Sequence, residues 1–189
     1  ALENAGQTTT TTSGDSVSTV YDVSAVAEAA MPSLVSITNM GEQEIQSFFG
    51  TYTQASESSG TGIIVGKNDD ELLIATNNHV VEGSEQLNVC FIDNEIVSAL
   101  VKGTDATNDL AVIAVSLSDI PEETLNKISI AQLGDSESLK IGEPVIAIGN
   151  ALGYGQSVTT GVISALDREV TIENMTSSLI QTDAAINPG

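Results

Sequence analysis

From Leu34 onward, short runs rich in Val, Ile and Leu alternate with clusters of Asn, Asp, Gly, Ser and Lys. Runs of β-branched and aliphatic residues bounded by turn-formers read as strands. Leu34–Ile37, Thr61–Val65 and Glu71–Thr76 are the first three, the last of them following the turn cluster Lys67-Asn68-Asp69-Asp70. Gln86–Ile92, Ile96–Lys102 and Leu110–Val115 make six strands before Pro121, a set expected to close into a small barrel. A polar connector, Ser118–Lys127, leads to a second set at Pro144–Ile148, Val158–Ala165 and Ser178–Ala184, which stops unfinished at Asn187-Pro188-Gly189. The pattern therefore predicts an all-β chain. A short helix and a complete six-stranded barrel occupy residues 21–120, and the connector and an incomplete second barrel occupy 121–189.

Ahead of the strands the pattern is different. Ala1–Val20 is rich in Thr, Ser and Gly, with five consecutive threonines from Thr8 to Thr12. A stretch that can bury so little reads as a linker or stalk over residues 1–20. Asp22 is then placed to cap a helix through Val23, Val26, Ala27 and Ala30, with Pro32 ending it. Aromatic residues make up 3% of the chain and Trp is absent, so the core must be aliphatic, which favours strands.

Charge narrows the function classes. Lys and Arg number 5 against 26 Asp and Glu, a net charge of −21. Such a surface repels phosphate backbones and anionic membranes, which excludes nucleic acid as a partner. No EF-hand spacing or Gly-Asp repeat array turns these acids into a calcium site, so they read as a solvated surface. Cys90 is the only cysteine and sits in the strand Leu87-Asn88-Val89-Cys90-Phe91-Ile92, where a thiol acts as a small hydrophobe. It can form no intrachain disulfide. No apolar run reaches membrane-spanning length and no basic-then-apolar signal opens the chain. Residues 1–189 are expected to be soluble, with an upstream anchor left open.

The candidate chemistry starts with His79, the sole histidine, in Thr76-Asn77-Asn78-His79-Val80-Val81. A single histidine is by itself more often structural or merely exposed than catalytic. Asp109 lies at the mouth of the strand in Asp105-Ala106-Thr107-Asn108-Asp109-Leu110-Ala111-Val112-Ile113. It can be a turn residue. It can also fix the tautomer of a neighbouring imidazole and stabilise the imidazolium that general-base catalysis forms. Gly60, Gly62, Gly149 and Gly153 read as turn or close-packing glycines, with no phosphate-loop spacing around them.

Taken in order, these segments resemble the HtrA family of trypsin-like serine proteases. Ser58-Ser59-Gly60-Thr61-Gly62-Ile63-Ile64 is similar to the small-residue strand before the family's histidine strand. Thr76–Val81 resembles its catalytic-histidine motif and Asp109-Leu110-Ala111-Val112 its catalytic-aspartate motif. Leu133-Gly134-Asp135-Ser136, Ile141-Gly142-Glu143 and Ala147-Ile148-Gly149-Asn150 match its interdomain segment, and Thr160–Arg168 looks like its activation-loop region. Gln181–Gly189 resembles the run into the nucleophile, which in the family continues Asn-Ser-Gly-Gly. The likeness spans Met31 to Gly189. Ala151, where the family usually has proline, departs from it, and the loop Gly41–Glu57 with Phe48 and Phe49 is short; similar loops in relatives contact neighbouring subunits or cover the active site.

The resemblance implies a chymotrypsin-like two-barrel fold with the active site in the cleft between the barrels. His79 is then the general base, Asp109 its orienting acid, and Gly189 one oxyanion-hole donor in a hole left incomplete without the serine that follows. It further implies unfolded proteins or peptides as substrates, no metal or cofactor, an extracytoplasmic location, a homotrimer as in relatives, and an upstream membrane anchor and downstream PDZ domain. Residues 1–189 lack the nucleophile and are expected to be inactive alone. Two rival classes remain at this point. One is a pseudoprotease that binds exposed chain segments without cutting. The other is an all-β surface adhesin on a Thr-rich stalk, in which His79 and Asp109 would lie far apart.

Overall fold

A computed structural model describes residues 8–12, 17–47, 50–149, 156–172 and 175–186. Strands β3 (Leu34–Ser47), β4 (Gly50–Lys67), β5 (Glu71–Thr76), β6 (Ser84–Cys90), β7 (Ile96–Asp105) and β8 (Leu110–Ser116) follow two shorter ones, β1 (Thr8–Thr12) and β2 (Val17–Tyr21). The six close into a barrel in the order β3-β4-β5-β8-β7-β6, with β6 pairing back onto β3. Alternate residues of each strand point inward. Ile37, Ile64, Ile74, Val89, Ile113 and Val115 are fully buried there, so the barrel is filled by aliphatic side chains.

The second sheet has β9 (Pro144–Gly149), β10 (Ser157–Ile172) and β11 (Met175–Thr182), ordered β11-β10-β9. The all-β, two-part architecture is thus the one expected, with one closed barrel and one partial sheet. A connector with a short helix α3 (Glu122–Leu125) joins them and is stitched to the barrel: Ser129 N–H donates to the Pro32 carbonyl and Ala131 N–H to that of Ile64. Thr124, buried, and Lys127 both donate to the carboxylate of Asp93 in the β6–β7 turn.

Several boundaries differ from the sequence expectation. The stretch expected as a loop, Gly41–Glu57, is instead the outer part of the β3–β4 hairpin, paired from Gly41↔Ser56 to Ser47↔Gly50. Ile45, Thr51, Tyr52 and Thr53 in that stretch are strand-favouring residues, which suits the ladder's continuation to the end of the hairpin. Phe48 and Phe49 lie outside the described residues. Within the segment read as a linker, β1 and β2 pair antiparallel as a two-stranded sheet of their own. Helix α1 spans Ser24–Ala30 and gives way to a 3-10 turn, Met31–Ser33, that contains Pro32. Asp22 accepts from the N–H and hydroxyl of Ser24, which holds its carboxyl below the ordinary range. Among the described residues no helix is long and apolar enough to cross a membrane.

Candidate active site

One turn of helix, α2 (Asn78–Val81), follows β5 directly and carries His79. Val80 and Val81 on its other side are buried in the barrel core, so the imidazole is driven outward. Close approach of β4 is needed for this seating. A Cβ on Gly60 would lie 2.6 Å from Cγ2 of Val80, a distance no side chain tolerates. Thr76, also buried, donates its hydroxyl to the Thr61 carbonyl at 2.9 Å and ties the end of β5 to β4.

Asn39 secures the far end of the helix. Its side-chain amide donates to the carbonyls of Val80 at 3.0 Å and Glu82 at 3.1 Å, two of the groups left unpaired at a helix C-terminus. Sequence reasoning did not single out Asn39, yet a signal existed. Val35 and Ile37 set the inward parity of β3, and Asn39 falls on the same parity, where an apolar residue is the rule. A buried amide there needs partners, and the helix end supplies them.

Asp109 arrives from the other side, on the turn between β7 and β8. Asp105 shapes this turn by accepting from the N–H groups of Thr107 and Asn108 and from the Asn108 side chain at 2.7 Å. The same contacts, that of the Asn108 side chain first, hold its own carboxyl below the ordinary range. Asp109 itself adopts a left-handed backbone, with φ of 51°. Aspartate visits this region more readily than most residues, but at a cost.

The two candidates meet. His79 Nδ1 lies 2.7 Å from Asp109 Oδ2, and the His79 backbone N–H donates to Asp109 Oδ1 at 3.0 Å. The adhesin reading required them to be far apart and fails here. Partial burial opposes the charged form of Asp109. The backbone N–H and imidazole of His79, with a further N–H from Asn78, outweigh it and hold the carboxyl below the usual range. An ionised Asp109 places the imidazole proton on Nδ1 and leaves the lone pair on Nε2. The side chains remain 69% and 46% exposed, so Nε2 is open to a reacting group. This arrangement can accept a proton from a nucleophile and return it to a leaving group.

Gly189, the expected oxyanion donor, lies outside the described residues. The segment leading toward it is fixed to β10: Asp183 Oδ1 accepts from Val162 N–H at 2.7 Å, and a Cβ on Gly161 would collide with the Ala184 backbone nitrogen. Cys90 is half-buried at the end of β6, and burial, then the Asp93 charge, pushes its thiol up, the setting of an inert packing residue. Among the described residues no three His, Cys, Asp or Glu side chains gather as a metal site.

The model of the trypsin-like peptidase domain family matches residues 60–189. The serine protease Do-like HtrA of Bacillus subtilis is 39% identical over 178 residues, covering 88% of this chain and 38% of that protein. A probable periplasmic serine endoprotease, DegP-like, of Hahella chejuensis is 41% identical over 136 residues, covering 72% of this chain and 26% of its own length. Among solved structures, the HtrA-type protease AlgW with decapeptide superposes with a TM-score of 0.67 at 31% identity, covering 86% of this chain and 51% of that one. The chain spans well under half the length of these two curated relatives.

Proposed function

The chain belongs to the HtrA family of trypsin-like serine proteases, and on that premise we propose that the whole protein cuts unfolded or misfolded polypeptides by Ser-His-Asp acyl transfer. The observation that carries the reading is the 2.7 Å contact between His79 Nδ1 and Asp109 Oδ2, with the opposite face of the imidazole exposed. In the reaction, His79 Nε2 takes the proton of the serine hydroxyl as Oγ adds to the scissile carbonyl. The resulting oxyanion is held by backbone N–H groups, Gly189 among them. Collapse breaks the C–N bond and His79 returns the proton to the leaving amine. Water, deprotonated by His79, then releases the acyl group. Asp109 holds the tautomer and the imidazolium throughout, remaining ionised. Only protons and an acyl group move, so the reaction needs no metal or cofactor.

Residues 1–189 hold the base and the acid, whereas the family's serine follows Gly189, so this stretch taken alone is expected not to cut peptides. The periplasmic assignment of a relative supports an extracytoplasmic location. The decapeptide in the AlgW structure supports peptides as binding partners. The family resemblance supports a homotrimer, an anchor and a PDZ domain in the whole protein.

Casein hydrolysis tests the reading. Residues 1–189, a chain continuing through the family's Asn-Ser-Gly-Gly run and the rest of its peptidase domain, and the longer chain with His79→Ala are compared. Cutting by the longer wild type alone is expected. An inert longer chain that still binds casein would transfer the protein to the pseudoprotease class.

A further inference from the structure

Asn77 stands at the N-cap of α2, the position where an asparagine ordinarily caps its own helix by accepting from an N–H one turn on. It does not do so. Its side-chain amide instead donates to the backbone carbonyl of Asp109 at 3.0 Å, across a sequence separation of 32 residues. The vacated capping duty is taken by Asp109, whose Oδ1 accepts the His79 N–H in the first turn. The result is a crossed pair: the Asn77 side chain on the Asp109 backbone, and the Asp109 side chain on the backbone two residues beyond Asn77.

We propose that Asn77 is a positioning residue for the His79–Asp109 pair, acting by holding Asp109 in its left-handed backbone conformation. Three observations converge on this. Asp109 has φ of 51°, a left-handed value that aspartate adopts at some cost and that a tertiary contact helps to hold. The Asp105 side-chain contacts end at Asn108 and the β7–β8 ladder resumes at the Asp105↔Leu110 pair, so Asp109 lies between the two and its carbonyl is held by Asn77. Asn77 is exposed, so its packing contribution is small and its hydrogen bond is what it offers. Releasing the Asp109 carbonyl frees φ to relax to the right-handed or extended region, which swings the carboxylate off Nδ1. The inference rests on the protease reading only for its catalytic consequence.

His79 is the only histidine in the chain, so its ring signals are unambiguous. The test is proton and nitrogen NMR of residues 1–189 as wild type, Asn77→Ala, Asn77→Asp and Asp109→Asn. The Asp variant keeps the shape of Asn77 and removes its donor; Ala removes both without adding charge. Expected is a low-field Nδ1 proton in the wild type, lost in Asp109→Asn and in both Asn77 variants, with the methyl signals of buried Ile74 and Ile113 unmoved. Retention of the low-field proton in either Asn77 variant overturns the proposal, as does loss of the barrel methyl signals, which would make Asn77 a folding residue. Retention in Asp109→Asn would instead remove the pair itself, and with it the basis of the protease reading. In the longer chain, Asn77→Ala is expected to lower kcat about 10²-fold with KM unchanged. A wild-type kcat overturns the positioning role, whereas an inactive longer wild type counts against the protease reading and leaves the NMR result standing.

Discussion

One carboxylate serves His79 twice: Asp109 Oδ1 takes its backbone N–H at 3.0 Å and Oδ2 takes ring Nδ1 at 2.7 Å. The aspartate therefore fixes where the histidine sits and which nitrogen carries its proton. In the longer chain, Asp109→Asn is expected to lower kcat by about 10⁴-fold, the magnitude for a base held in the wrong tautomer. Asparagine keeps an acceptor for the His79 N–H and solvent screens much of the pair's attraction, so the unfolding temperature should fall only slightly. Steady-state kinetics beside thermal unfolding checks this; a parallel collapse of both would mean the pair is structural.

Asn39 is expected to be the costliest polar residue around the site. It is buried, its amide satisfies two helix-end carbonyls, and Oδ1 has no hydrogen-bond partner among the described residues. Asn39→Ala should destabilise by about 1–3 kcal/mol. Asn39→Asp should be worse, because a carboxylate would face both carbonyls without a donor. Denaturant unfolding ranks the two, and an Asp variant as stable as wild type would contradict the geometry.

The Gly60–Val80 contact predicts a coupled pair. Gly60→Ala alone should cost about 1–3 kcal/mol by overpacking. Combined with Val80→Ala, which vacates the atoms 2.6 and 2.7 Å from the new methyl, the loss should be smaller than the sum. A double-mutant cycle measures this, and strict additivity would show that the strand does not press on the helix there.

Acid and salt should act in opposite senses. The carboxyl of Asp109 is held below the ordinary range in the folded state, so its contribution is full above the unfolded-state value. It disappears as pH falls through the lower folded-state value. Against this, a net charge of −21 strains the folded chain at neutral pH. Raising salt from about 0.01 to 1 M shortens the screening length from about 30 to 3 Å. The unfolding temperature at neutral pH should therefore rise with salt, and the acid-side loss should persist. Insensitivity to salt at neutral pH would mean that the acids are already compensated.

The strand cores were legible in the sequence because aliphatic alternation and turn residues mark them directly, whereas His79 and Asp109 stood out only through the resemblance of their segments to the HtrA family's motifs. The outer β3–β4 hairpin was not legible, since Glu42-Gln43-Glu44 carries no apolar period and only pairing across the hairpin makes it a strand. Helix α3, Glu122–Leu125, is too short to show a helical period and is held by the Thr124 and Lys127 contacts to Asp93. Asn77 was visible as part of the histidine motif. Its reach to Asp109 is a tertiary fact, created when β5 and β8 pair and bring the ends of the two strands together.

The most direct test of the central claim, that His79 and Asp109 activate a serine, is covalent labelling with a fluorophosphonate. The longer chain, its His79→Ala form and its Asp109→Asn form would be treated and mapped by mass spectrometry. One adduct, on the serine of the Asn-Ser-Gly-Gly run, is expected in the wild type, with its near-complete loss in both variants. Equal labelling of all three would contradict the claim.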